Sequence, residues 1–251
     1  MPDQKTRAFR VKHLSKMVGD VYQVYLVAEE RPLLFDAGQY LQVIMPEGDP
    51  CAYSIASAPD DDLNELELHV QCYSWHDRAR QVLAYLSSSE IIQVTMPHGN
   101  CHLGNCPDAP VVLIAAGTGF AQMKSMVEFV YKNKHRHPVS LYWGARCLHG
   151  FYLPHLPVQW SSEWGIRYRP VVSKAEAEDD WEGRHGQLYR AVVDDLEQLE
   201  GAHYYLSGSP NMVYTIMDGL VAAGVDENQV HSDVFDYAPR QDGVTSQPEG
   251  L

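Results

Sequence analysis

The sequence predicts two domains, an antiparallel β-barrel followed by a doubly wound parallel sheet. Up to about residue 100, short segments alternate between apolar and polar residues, as half-buried strands do. After the loop at 103–109, apolar runs alternate with amphipathic helical segments, which is the pattern of parallel βαβ units. We place the domains at 1–105 and 106–237, and a polar C-terminal tail at 238–251.

Turn sequences rich in Pro, Gly and Asp separate the strands of the first domain. Many short strands joined by turns are typical of an antiparallel barrel, and one helix is placed to plug an end of it. The predicted elements are strands at 21–28, 39–45, 65–71 and 91–96 and a helix at 76–86.

One strand of this domain is unusually thin. The segment PCAYSIASAP, at 50–59, consists mostly of Ala and Ser between two prolines, where a buried strand normally has large apolar residues. It is either a plain edge segment or a surface against which something other than protein packs.

The second domain begins with a continuous apolar run at 109–117, as expected of a strand buried on both faces. The elements that follow alternate in type. They are predicted helices at 121–133, 187–199 and 211–224, the last one ending at Gly224, and strands at 139–144, 166–172, 202–208 and 229–235.

A Gly-Thr-Gly turn joins the first of these strands to its helix. Gly117 and Gly119 allow the backbone to approach a pyrophosphate, and the helix N-terminus favours an anion, although a plain turn also explains two glycines. Gln122 stands where a third glycine is usual. Arg146, after the next strand, suits a 2′-phosphate, the adenine or solvent.

The charge balance excludes several partners. With 19 basic and 33 acidic residues, the net charge is −14, which disfavours binding to nucleic acid or to an anionic membrane. We expect no signal peptide and no membrane span, and a cytoplasmic protein. The odd number of cysteines, 5, indicates reduced thiols, and Cys101 and Cys106 are interpreted as loop residues, so no metal site is expected.

Several motifs occur together in one order between residues 52 and 237, and the resemblance that they carry covers residues from about 7 to 237: AYSIAS, PHG, AAGTGF, YWGAR, WEGRHG, SGSPNM and HSDVFDY. This order resembles the ferredoxin-NADP⁺ reductase superfamily, most closely the small NAD(P)H:flavin oxidoreductases that include the luciferase-associated flavin reductases. The resemblance implies a six-stranded antiparallel flavin-binding barrel followed by an NAD(P)-binding α/β domain.

The resemblance also implies a flavin site. Tyr53 would lie against the flavin, and Ser54 would hydrogen-bond its N5 atom, which makes Ser54 the candidate catalytic residue. We call residues 53–57 the flavin segment. Cys51 replaces an arginine that usually holds a flavin phosphate in this family. The remaining flavin-binding residues would be Ile55, Ala56 and Ser57 along the ring, and Asp233, Phe235 and Tyr237 near the C-terminus.

For the nucleotide, the resemblance implies the residues Gly117, Thr118, Gly119, Arg146, Ser207 and Gly208. We call residues 117–119 the nucleotide turn. Ser207 stands where many relatives have a cysteine. Arg184, in the W-x-G-R-x-G loop, either meets a phosphate or is structural, and His98 shapes the P-H-G turn.

The implied activity is hydride transfer from NADH or NADPH to a flavin, with reduced flavin supplied to a partner oxygenase. The flavin would be FMN, FAD or riboflavin, as a substrate or loosely bound, and the loss of the arginine at Cys51 favours a substrate. One alternative is a reductase component with tightly bound FAD that passes electrons to a protein. Another is a non-catalytic nucleotide-binding module. Arg146 tolerates both nucleotides, and we expect a monomer or weak dimer.

Overall fold

The computed structural model describes residues 5–29, 33–60, 62–73, 75–174 and 181–240. The chain forms two compact units. The first consists of residues up to 106 together with 124–134, and the second of 107–123 and the residues from 135 onward. Of the predicted tail at 238–251, residues 241–251 lie outside the described residues.

The first unit contains a six-stranded antiparallel sheet in the order β4-β3-β6-β1-β2-β5. A bridge between Ile55, just after β4, and Leu68 of β5 links the two edge strands and closes the barrel. The antiparallel six-stranded architecture is therefore confirmed. Its elements are β1 (Lys5–Lys16), β2 (Val21–Ala28), β3 (Tyr40–Ile44), β4 (Pro50–Ser54), β5 (Glu65–Gln71), α1 (Asp77–Ser88) and β6 (Ile91–His98).

The sequence did not predict β1, which pairs with both β2 and β6. Its apolar residues are Ala8, Phe9, Val11 and Leu14, and only Phe9 is fully buried. The pairing with β2 shifts register between Val11 and His13, so the apolar alternation is broken at that point. A bulge in a charged strand removes the period of two on which the strand predictions relied.

The helix α1 packs on the barrel as predicted. Val82 and Leu86 are buried in the same core cluster as Phe9, Leu26 and Leu68. The helix begins after His76, whose Nδ1 accepts a hydrogen bond of 3.2 Å from the Ala79 amide.

The second unit contains a six-stranded parallel sheet in the order β10-β9-β8-β7-β11-β12. The strand order reverses at β7 and β11, the kind of position where doubly wound sheets bind ligands. Its elements are β7 (Val111–Ala116), α2 (Phe120–Lys132), β8 (Val139–Ala145), α3 (His155–Trp164), β9 (Arg167–Val172), β10 (Arg184–His185), α4 (Leu188–Val193), β11 (His203–Ser207), α5 (Pro210–Ala222), β12 (Val230–His231) and α6 (Val234–Tyr237).

Two expectations for this unit were wrong in extent, and one helix was missed. The strand expected at 229–235 ends at His231, because Ser232 turns the chain and accepts a hydrogen bond from the Val234 amide at 3.3 Å. The helix expected at 187–199 ends at Val193 and is followed by a short 3₁₀ turn. The helix α3 was not predicted.

All five cysteines lie among the described residues, and none of them forms a disulfide bond. Among the described residues, no helix combines the length and apolar character needed to cross a membrane. In the same residues, His, Cys, Asp and Glu side chains form no group of three or more arranged to hold a metal ion.

Candidate active site

The two faces of β4 have different neighbours. Cys51 and Tyr53 lie opposite Val43 and Leu41, and both pack against the barrel core. Burial raises the pKa of the Tyr53 phenol well above its usual value. The expected contact between Tyr53 and a flavin is therefore limited to the part of its ring that the core leaves uncovered.

Ser54 lies on the other face of β4, opposite Tyr40. Tyr40 is also paired with His98, and their rings stack with centroids 5.4 Å apart and planes 17° from parallel. Among the described residues, no group hydrogen-bonds the half-exposed Ser54 hydroxyl. A hydroxyl beside a flat aromatic pair fits a planar ligand with polar edge atoms, as a flavin ring is.

The next two residues of the flavin segment are enclosed by protein. Ile55 and Ala56 have no exposed surface, and the Ala56 amide donates to the Glu67 carbonyl at 2.8 Å. The Ser57 hydroxyl accepts from the Glu67 amide at 2.7 Å, and the Ser57 carbonyl accepts from the Ser125 hydroxyl at 2.7 Å. These contacts fix the segment, and Tyr53, Ser54 and Ser57 are its residues with surface left for a ligand.

A buried cluster of charged residues supports the flavin segment from within the first unit, and sequence analysis did not find it. The Lys124 ammonium lies 2.9 Å from Glu67 Oε2 and 2.9 Å from Glu128 Oε1, and it donates to the Ala56 carbonyl at 3.3 Å. His69 Nε2 lies 2.9 Å from Glu67 Oε1. We call Lys124, Glu67, His69 and Glu128 the lysine cluster.

The pKa values in the lysine cluster follow from burial and pairing. Burial opposes ionisation of Glu67, but the His69 hydrogen bond and the Lys124 charge outweigh it and lower the pKa of Glu67 to about 2. Burial lowers the pKa of His69, which is therefore neutral near pH 7. The two neighbouring carboxylates more than offset burial and raise the pKa of Lys124. The cluster thus contains an ionised Lys124–Glu67 pair.

The nucleotide turn lies between β7 and α2 in the second unit. Gly117 has φ of +54°, and its carbonyl accepts from the Trp143 indole at 3.1 Å. A Cβ on Gly119 would lie 3.0 Å from Ser207 Oγ and nearer still to the Ser207 carbonyl oxygen. A glycine is therefore required at position 119 because β11 approaches closely, and at position 117 because the backbone there is left-handed.

Ser207 and Gly208 end β11 beside the nucleotide turn. Ser207 is paired with Ala115 of β7, and a Cβ on Gly208 would clash with Met212. The structure therefore brings the predicted residues Gly117, Thr118, Gly119, Ser207 and Gly208 together at the carboxyl ends of β7 and β11. Exposed Arg146 follows β8, the neighbour of β7 on the other side.

Gln122, at the position where a third glycine is usual, makes a buried contact. Its side chain is buried, and its amide donates to Asp233 Oδ2 at 3.1 Å. The Phe235 ring packs near Tyr214, with centroids 5.6 Å apart, whereas the Tyr237 ring is 62% exposed. Gln122 thus positions the predicted acidic residue, and Tyr237 presents an aromatic face.

Arg184 has a structural role. It donates to Asp195 Oδ1 at 2.5 Å and to the Ala191 carbonyl at 2.7 Å. The other Asp195 oxygen accepts from the Tyr142 hydroxyl at 2.7 Å. These bonds hold the guanidinium against α4, which favours the structural interpretation of the W-x-G-R-x-G loop over the phosphate contact.

Comparison with known proteins identifies relatives of both units. Residues 113–218 match the family model of the oxidoreductase NAD-binding domain. The chain is 34% identical over 204 residues to the NAD(P)H-flavin reductase of Vibrio harveyi, covering 79% of this chain and 85% of that protein. It is 28% identical over 206 residues to a reductase component of terephthalate 1,2-dioxygenase from Comamonas, covering 82% of this chain and 60% of that one.

A solved structure shows the same two-unit fold. The Amycolatopsis cytochrome P450 reductase GcoB superposes with a TM-score of 0.80 at 26% identity, covering 92% of this chain and 69% of that one. Together with the Vibrio harveyi relative, this likeness agrees with the motif order read along the sequence. The chain belongs to the ferredoxin-NADP⁺ reductase superfamily, close to the NAD(P)H-flavin reductases.

Proposed function

We propose that this protein is an NAD(P)H-dependent flavin reductase that binds the flavin as a substrate and releases it reduced for a partner oxygenase. The observation that carries the proposal is the Ser54 hydroxyl, which no residue in the described part of the chain hydrogen-bonds and which is held beside the Tyr40–His98 pair. The identity to the Vibrio harveyi flavin reductase over 85% of its length supports the same reaction.

Each site has its own task in this reaction. When a flavin is bound, its ring supplies the hydride-accepting chemistry, so the protein needs no strong acid or base. The Ser54 hydroxyl hydrogen-bonds the polar edge of the ring at N5 and stabilises charge there. The lysine cluster holds the segment that carries this hydroxyl in one conformation.

The second unit binds the nucleotide in this proposal. Amide groups of the nucleotide turn, at the N-terminus of α2, hydrogen-bond the pyrophosphate. Ser207 and Gly208 lie beside that turn and contact the nicotinamide end, while Arg146 contacts the adenosine end. Arg146 accommodates NADH and NADPH alike.

A second candidate is a reductase that keeps its flavin and passes electrons to a protein. The likeness to the terephthalate dioxygenase reductase component and to the P450 reductase favours it. The loss of the phosphate-binding arginine at Cys51 favours the substrate role instead, because a charge-assisted anchor of about 1.5–3 kcal/mol is missing from that position.

The absorbance of the purified protein separates these functions. We expect a colourless protein that oxidises NADH or NADPH only when riboflavin, FMN or FAD is added. A yellow protein with one FAD per chain, active towards a protein acceptor without added flavin, would establish the second candidate. Absence of flavin-dependent nucleotide oxidation under both conditions would contradict the proposed enzyme.

A further inference from the structure

A surface cavity of about 600 Å³ opens in the first unit, between α1 and the loop that joins β3 to β4. This size is in the range of small-ligand sites. Its walls combine an apolar part with one cation and one carboxylate. Met45, Pro46 and Tyr85 contribute to the apolar part, and Glu47, Arg78 and Gln81 to the polar part.

The cavity adjoins the strand that carries the flavin segment. The Arg78 guanidinium, which lines the cavity, lies near the Cys51 side chain, two residues before Tyr53. Its Nη2 donates to the Asp49 carbonyl at 2.8 Å. Arg78 is thus a cation beside the position where the family's arginine is lost.

This cation is already paired. The Glu47 carboxylate binds Arg78 Nη1 directly, and both side chains reach solvent, at 48% and 31% exposure. The hydrogen bond to its own amide and the one from Arg78 lower the pKa of Glu47, which is therefore ionised near neutral pH. The charges of the pair cancel inside the cavity.

We propose that the cavity receives the tail of the flavin and that the Glu47–Arg78 pair makes it favour a tail without phosphate. The inference rests on the proposed function. Flavins share one ring and differ in the tail, which ends in a hydroxyl in riboflavin and in a phosphate in FMN. A dianionic phosphate at Arg78 would have to displace the Glu47 carboxylate or lie against it, and like charges at contact repel. The ribityl hydroxyls meet neither obstacle, and Gln81 offers them an amide.

Binding of riboflavin and FMN, measured by quenching of flavin fluorescence at low salt, tests this pair independently of turnover. In the unmodified protein, riboflavin should bind at least as tightly as FMN. E47Q frees Arg78, so FMN affinity should rise about tenfold, the effect of one charge-assisted hydrogen bond. Riboflavin affinity should change less than twofold. The gain should disappear in the E47Q/R78Q double variant and shrink as salt is added.

E65Q is the matched control. Glu65 pairs with Lys12 at 2.5 Å elsewhere on the same barrel, so this variant changes the net charge equally and frees a different cation. It should leave both affinities unchanged. A tenfold preference of the unmodified protein for FMN, or an FMN-to-riboflavin ratio that E47Q does not move, would overturn the inference while flavin reduction remains. Loss of the proposed function is distinguishable, because the unmodified protein would then neither bind nor reduce either flavin.

Discussion

The flavin segment and the nucleotide turn are held in place by different physical means. Lys124, Glu67 and Ser125 surround the flavin segment with buried hydrogen bonds and ionic contacts. The contacts that hold the nucleotide turn are uncharged: Gly119 lies against the Ser207 backbone, and the Trp143 indole donates to the Gly117 carbonyl. One segment therefore depends on charge balance and the other on available space.

Because the two regions are held differently, they should tolerate different substitutions. A buried ion pair loses its balance when one partner is removed, whereas a backbone contact fails when a single methyl group is added. The first region should respond to pH and to isosteric neutral substitutions. The second should respond to side-chain size and be indifferent to pH.

K124M should have the largest effect. Methionine fills much of the space but leaves Glu67 and Glu128 without their cation, which costs about 3–5 kcal/mol when a buried pair is broken. Urea unfolding at pH 7 measures the loss. The control is K132M on the same helix, because Lys132 pairs with Asp60 at the surface, and an exposed pair contributes about 0–1 kcal/mol. Equal losses in the two variants would show that the cluster does not support the segment.

G119A, in the nucleotide turn, should have the next largest effect. The added Cβ meets the Ser207 carbonyl oxygen, and overpacking of this kind costs about 1–3 kcal/mol. The KM for NADH should also rise, because the turn that binds the nucleotide must move to accommodate the added methyl group. In G117A, the methyl group meets nothing within 4 Å, and only the left-handed backbone costs about 1 kcal/mol. A larger loss of stability in G117A than in G119A would contradict the conclusion that the close approach of Ser207 requires a glycine at position 119.

The sequence predicted the strand, turn and helix around residues 117–119 well because the requirements of these elements are local. A buried strand, two glycines and an amphipathic helix follow one another within 111–132, and each has a recognisable pattern. The lysine cluster joins β5 to α2, which are more than 50 residues apart in the sequence. The residues next to Glu67 and Lys124 in the sequence do not indicate that these two side chains pair. Strand β1 was missed because its bulge breaks the alternation, and Gln122 was known as a departure from the motif but not as a partner of Asp233.

S54A addresses the chemistry of the flavin segment without disturbing its support. No described residue hydrogen-bonds the hydroxyl, so stability should be unchanged. Turnover should fall about three- to tenfold, the value of one hydrogen bond. The KM for NADH should stay within twofold, since the nucleotide turn is untouched. S87A is the control, because the Ser87 hydroxyl donates to the Leu83 carbonyl of its own helix α1. Unchanged steady-state turnover in S54A would exclude the role at N5.

The smallest expected effect concerns His69 and the pH dependence of stability. Because the folded pKa of His69 lies below its ordinary value of 6.5, the unfolded chain takes up the proton first as the pH falls. Stability contributed by neutral His69 is thus present above about pH 6.5 and is lost below it. Glu67, with a pKa of about 2 against an ordinary 4.5, adds a second loss that begins near pH 4.5.

H69Q isolates the first of these two losses. Glutamine retains an amide donor for Glu67 but does not titrate, so the midpoint of thermal unfolding should fall less between pH 7 and pH 5 than in the unmodified protein. The acid loss below pH 4.5 should persist, because Glu67 and Lys124 remain. H149Q changes an exposed histidine and should preserve the original pH profile. If H69Q and the unmodified protein lost the same stability between pH 7 and pH 5, the loss would come from the titration of another group. His69 would then not contribute to the pH dependence of the lysine cluster.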